Sequence, residues 1–202
     1  MKKKIILTIL LCLIAIPLCA GTITIGKKKS GGACTNPDSG TVIIGTASTD
    51  DTNHYATAYQ AGVVWGSSNA LTASWSGTCT TTTMASITVR GAGHAVGNVK
   101  WFLLNGSTRA IIATTNAVAT NESGDPAGST VFSFASAPTI TKGTTYILAM
   151  SCDVDACYWP AWTTSAGNNI FYDGSGSYAS PPDPVTLNDS GDDGLFSAWG
   201  VK

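Results

Sequence analysis

Short segments in which apolar and polar residues alternate with period two, and the lack of any stretch with helical spacing, restrict this 202-residue chain to an all-β fold. The pattern is plainest at Thr144–Ser151. There Tyr146, Leu148 and Met150 share one face and Thr145, Ile147 and Ala149 the other, after a turn supplied by Lys142 and Gly143. This predicts a half-buried strand. Just upstream, Ser129–Ala135 places Phe132 and Phe134 on one face, so both segments offer an apolar surface to a common core.

The same reading yields candidate strands at Thr41–Thr46, Tyr55–Ala61, Ala70–Ser76, Ala85–Arg90, Asn98–Asn105, Thr108–Thr114, Asn169–Asp173 and Leu195–Val201. Within them Ile87 and Val89 point inward with Ser86, Thr88 and Arg90 outward, and Val99, Trp101 and Leu103 inward with Lys100 outward. Short strands punctuated by Gly, Asn, Asp and Ser predict a two-sheet antiparallel β-sandwich over residues 41–202, a length that one domain accommodates. Residues 21–40, Gly-rich and without periodicity, read as a flexible N-terminal tail.

Residues 1–20 carry Lys2, Lys3 and Lys4, then an apolar run from Ile5 to Leu18, then small residues near Ala20, the pattern of a cleaved secretory signal peptide. That run is shorter than the ~20 residues of a membrane span, so no membrane span is expected. The protein is therefore expected to be secreted, extracellular or at the cell surface. Three of the eleven Lys and Arg lie in this segment and all twelve Asp and Glu lie beyond it, which leaves a net charge of about −4 without the segment. Lys27, Lys28 and Lys29 form no patch within the tail, and nucleic acid is not an expected partner.

Beyond the leader stand Cys34, Cys79, Cys152 and Cys157, an even number suited to an oxidising compartment. Four cysteines allow three pairings. The spacer DVDA suits a local Cys152–Cys157 hairpin bridge, which leaves Cys34 to tie the tail to Cys79.

The succession SITVRGAG, GNVKWFLLN and AGSTVFSFASAPTITKGTTYILAMSCD resembles the jelly-roll modules of secreted bacterial and phage-associated proteins, with YATAYQAG where those modules have their first core strand. The resemblance spans roughly Tyr55–Asp153 and the closing strand Ala198–Val201. It implies a jelly-roll β-sandwich, similar to carbohydrate-binding modules that accompany glycoside hydrolases or surface anchors. The chain departs from that pattern in its cysteines and in the segment CYWPAWTT.

Aromatic residues concentrate at Tyr158, Trp159, Trp162, Phe171, Tyr172 and Tyr178. Flat rings beside hydrogen-bonding groups are what stacking on sugars requires, and Asp153, Asp155 and Asn169 supply such groups nearby. The competing structural role for Trp159 and Trp162 is to cap the end of the core, while Trp65, Trp75 and Trp199 read as packing residues. Asp50 and Asp51, in STDDTNH, and Asp189 and Asp192, in NDSGDDG, gather carboxylates at turns in a way that suits a structural Ca²⁺. The ordinary turn-forming role of Asp, Asn and Gly competes with that reading.

Catalysis is not expected. Glu122 is the sole glutamate, and His54 and His94 lack patterned partners, the pair Asp51 and His54 reading as a polar turn. Neither a framed carboxylate pair nor a GxSxG elbow occurs. Two roles follow: a non-catalytic binding module for a polysaccharide or cell-surface glycan, or a self-assembling subunit of a filament, matrix or surface layer that donates Thr41–Thr46 to a neighbour's sheet.

Overall fold

The computed structural model describes residues 33–47, 54–67, 70–90, 97–120, 129–155, 157–162, 169–186, 188–193, 195–196 and 198–202. Of these, the backbone alone is described for 54–59, 67, 120, 157–162, 169–171, 189–193 and 195–196. Among the described residues there is no helix, and every strand pairing is antiparallel. The compact unit runs from Cys34 to Lys202.

The strands are β1 (Val42–Ile44), β2 (His54–Tyr59), β3 (Val64–Ser67), β4 (Leu71–Thr72), β5 (Thr81–Thr83), β6 (Ser86–Arg90), β7 (Gly97–Asn105) and β8 (Ile111–Thr114). They continue as β9 (Val118–Thr120), β10 (Ser129–Ser133), β11 (Thr139–Thr141), β12 (Thr145–Cys152) and β13 (Cys157–Trp162). The last are β14 (Asn169–Asp173), β15 (Asn188–Asp193), β16 (Leu195–Phe196) and β17 (Ala198–Val201). One sheet has the order β1-β17-β6-β10, and the larger has β15-β14-β3-β12-β7-β8, with β4 added to β12 and β9 to β7. Smaller sheets are β11-β5 and β16-β13-β2.

The four-stranded and eight-stranded sheets share one core, which makes the fold sandwich-like. Ile87, Val89, Phe132 and Ala198 of the first sheet bury against Val99, Trp101, Leu103, Tyr146, Leu148 and Met150 of the second. The rings of Phe132 and Trp101 span the gap with centroids 6.1 Å apart. These are the inward positions that the alternation assigns in β6, β7 and β12. At the edge, Thr115 joins the sheets: its Oγ1 accepts the Trp101 amide at 2.9 Å while its backbone bridges to Phe134.

The half-buried reading of β12 is corrected. Ile147 and Ala149 are buried too, in a second apolar layer with Val64, Phe102, Leu104 and Val185. The cause is the segment 174–186, which returns over the outer face of the larger sheet. It is fastened by three contacts: the Ile111 amide donates to Asp183 Oδ1 at 2.9 Å, the Val185 amide to the Arg109 carbonyl at 3.2 Å, and Lys100 Nζ to the Tyr178 carbonyl. Ser86 and Thr88, expected outward, are likewise buried.

Residues 34–40, placed by the sequence reading at the end of a flexible tail, are stitched down. Cys34 is disulfide-bonded to Cys79, the Thr78 and Cys79 amides donate to the Thr35 carbonyl at 3.0 and 3.1 Å, and the Gly40 amide donates to the Lys202 carbonyl at 2.8 Å. Gly77 faces the same carbonyl so closely, with φ of +121°, that a Cβ there would lie 2.5 Å from the Thr35 oxygen. Cys152 is also disulfide-bonded. The side chain of Cys157, its expected partner, lies outside the described residues.

Candidate functional site

Cross-strand register builds a row of large side chains across the inner face of the larger sheet. Trp101 on β7 opposes Met150 on β12, Met150 opposes Trp65 on β3, and Trp65 opposes Tyr172 on β14. Directly opposed residues in antiparallel strands share a face, so the row is continuous from core to rim. Trp101 and Met150 are wholly buried, Trp65 is 8 % exposed and Tyr172 is 37 % exposed. The Tyr172 ring rests on Trp65 with centroids 5.4 Å apart and an interplanar angle of 36°. It is the exposed large aromatic among the described residues, and a buried indole backs it.

Asp173 follows Tyr172 with its side chain turned away from solvent, 2 % exposed. Its carboxylate accepts the Ser175 amide at 2.9 Å, the Ser175 hydroxyl at 2.6 Å and the Thr186 amide at 2.6 Å. Burial would raise its pKa; the hydrogen bonds from Ser175 and Thr186 outweigh burial and hold it below the ordinary carboxylate value. The carboxylate therefore closes the turn that carries the chain from β14 into the returning segment and back to β15.

Asp153 and Asp155, proposed above as sugar-binding groups, are engaged within the fold. Asp153 accepts the Asn98 amide at 2.6 Å through Oδ1 and the Asn98 side-chain amide at 2.6 Å through Oδ2. Asp155 Oδ1 accepts the Ala61 amide at 2.9 Å. Together they pin the turn after β12 to the start of β7 and to the β2–β3 connection. Nearby, Lys100 Nζ lies 4.4 Å from the Tyr178 ring centroid and 5.5 Å from that of Phe102. Burial lowers the Lys100 pKa, and burial followed by the negative field of Asp153 raises that of Tyr178.

Tyr158, Trp159 and Trp162 lie on β13, which pairs with β2 and β16. Strand periodicity puts positions 158 and 162 on one side of β13 and position 159 on the other. Their side chains lie outside the described residues. Asp189 and Asp192, read as members of a loop, sit on β15, where pairing with β14 makes a strand of the sequence NDSGDD; their side chains, and Asp50 and Asp51 altogether, lie outside the described residues. Among the described residues no group of three or more His, Cys, Asp or Glu side chains converges. Nor is any helix among them long and apolar enough to cross a membrane.

Sequence reasoning singled out Tyr172 but missed its two neighbours. Trp65 reads as packing, which its burial matches, yet it is also the support for Tyr172. Asn188, which opposes Tyr172 from β15, is hidden within a stretch that reads as a turn. No known protein family matches the chain, and no curated protein sequence matches it significantly.

Proposed function

We propose that this chain is an exported, non-catalytic binding module of the jelly-roll kind, holding a polysaccharide or cell-surface glycan on an aromatic platform centred on Tyr172. The supporting observation is the tilted contact between exposed Tyr172 and buried Trp65. A pyranose ring offers a face of C–H groups that stacks on such a ring. Because Trp65 already immobilises the tyrosine, little side-chain freedom is left to lose on binding. Asp153 and Asp155, whose carboxylates accept amides of Asn98 and Ala61, hold the turn after β12.

The alternative, a subunit that assembles through Thr41–Thr46, would have to release a strand already paired in its own sheet. Val42 and Ile44 are paired with Val201 and Gly200 of their own chain. The test of the binding reading is retention on immobilised polysaccharides. Tyr172→Ala should weaken retention by roughly two- to tenfold, the equivalent of one aromatic stacking contact. Retention unchanged in this variant, or absent from the parent protein on every glycan offered, refutes the reading.

A further inference from the structure

We infer that Asn188 is the hydrogen-bonding and selectivity residue of the Tyr172 platform, and that the platform takes uncharged glycans; this rests on the binding reading above. Asn188 is exposed and lies directly across from Tyr172 in the β14–β15 pair. Residues so opposed carry their Cβ atoms ~4.5–5.5 Å apart on the same face, near enough for the carboxamide to reach hydroxyls at the rim of a ring stacked on the tyrosine. The carboxamide is oriented from behind: Asn188 Nδ2 donates to the Thr186 carbonyl at 3.4 Å. Thr186 is in turn held through its amide by the buried Asp173 carboxylate at 2.6 Å. One buried group thus ties the residue after Tyr172 to the residue that orients Asn188.

A carboxamide with one N–H engaged keeps one donor and an acceptor oxygen. That pair matches vicinal sugar hydroxyls, which both donate and accept. The selectivity follows from charge. Asp189, Asp192 and Asp193 place three formal negative charges along the same strand. The sheet cation Lys100 belongs to the opposite face, where it is committed to the Tyr178 carbonyl and ring. A uronate, sulfate or phosphate would meet repulsion from those carboxylates.

The experiment is affinity electrophoresis of the full, oxidised chain through gels containing a neutral polymer (mixed-linkage β-glucan, xyloglucan or galactomannan) or polygalacturonate. The parent protein is compared with Tyr172→Ala, Asn188→Ala and Asn188→Asp, each checked for folding by near-ultraviolet circular dichroism. The expected result is retardation by a neutral polymer, weakened roughly three- to tenfold in Asn188→Ala, the equivalent of one or two hydrogen bonds, and weakened again in Asn188→Asp. If Tyr172→Ala weakens retardation while Asn188→Ala leaves it intact, the role of Asn188 is overturned and the platform stands. Stronger retardation by polygalacturonate than by any neutral polymer overturns the selectivity. A chain that runs unretarded in every gel removes the binding reading and this inference together.

Discussion

Lys100 holds Tyr178 from beneath: its ammonium lies 4.4 Å from the ring centroid and donates to the Tyr178 carbonyl. One side chain of β7 thereby fastens the segment that covers the outer apolar layer. Its stem contributes as well, since the alkyl chain of a lysine packs on apolar surface while its head finds a polar partner.

Lys100→Met should keep the stem packing and remove the fastening. The expected cost is about 1.5–3 kcal/mol, the range for a hydrogen bond involving a charged group. Urea unfolding measures the cost. Limited proteolysis locates it, because cleavage within 174–186 should speed up more than cleavage elsewhere. Equal acceleration at all sites would mean that Lys100 supports the whole fold and not this segment.

Asp173→Asn should destabilise by about 1–3 kcal/mol at neutral pH, because an amide N–H would confront the Ser175 or Thr186 donor that the carboxylate now accepts. The pH dependence has a definite sign. The native carboxyl is held below its ordinary value of 3.8, so its stabilisation is complete above that value and is lost as pH falls through the lower native one. Urea midpoints for parent and variant should therefore differ most near pH 7 and converge towards pH 3. A gap of constant size across that range would show that the protonation of Asp173 plays no part.

Much of the sandwich is legible in the sequence because one face of each long strand alternates. Ile87, Val89, Val99, Trp101, Leu103 and Phe132 all occupy the inward positions that the period assigns. The strands β5 and β11, TTT and TIT, escape such a reading because three residues hold too little contrast, and only their mutual pairing defines them. Strand β15 escapes for the opposite reason: NDSGDD has turn chemistry throughout, and hydrogen bonding to β14 overrides local preference. The second apolar layer is invisible to period two, since alternation cannot announce that a distant segment will return to cover the outer face. For the site, Tyr172 is legible as an aromatic in a polar region, whereas its pairing with Trp65 depends on register across more than a hundred residues and its pairing with Asn188 on a strand of turn-like composition.

Replacing Cys34 and Cys79 together by Ser tests whether residues 34–40 belong to the fold. The bridge spans 45 residues, for which chain-entropy reasoning gives a stabilisation of about 4 kcal/mol. The amides of Thr78 and Cys79 would keep their bonds to Thr35, so the segment should stay docked in the native state while the unfolded state gains freedom. The expected outcome is a urea midpoint lowered by 2–4 kcal/mol equivalent, with unchanged near-ultraviolet dichroism. An unchanged midpoint would make these residues a true tail.

Ile147→Ala separates a one-sided sheet from a covered one. Were the outer face of β12 open to water, as alternation alone suggests, the substitution would fall within the ~0.5 kcal/mol typical of surface changes. Ile147 is 3 % exposed, packed in the layer that includes Phe102, Leu104 and Val185, and truncating a buried isoleucine costs about 2–5 kcal/mol. Ile112→Ala supplies the control: Ile112 is 41 % exposed on β8, and its loss should cost no more than ~0.5 kcal/mol. Because Ile147 and Val185 belong to one cluster, Val185→Ala combined with Ile147→Ala should cost less than the sum of the two. Once the first cavity has loosened the returning segment, the second truncation removes contacts already weakened. Strict additivity would place the two side chains in independent environments and contradict a shared outer layer.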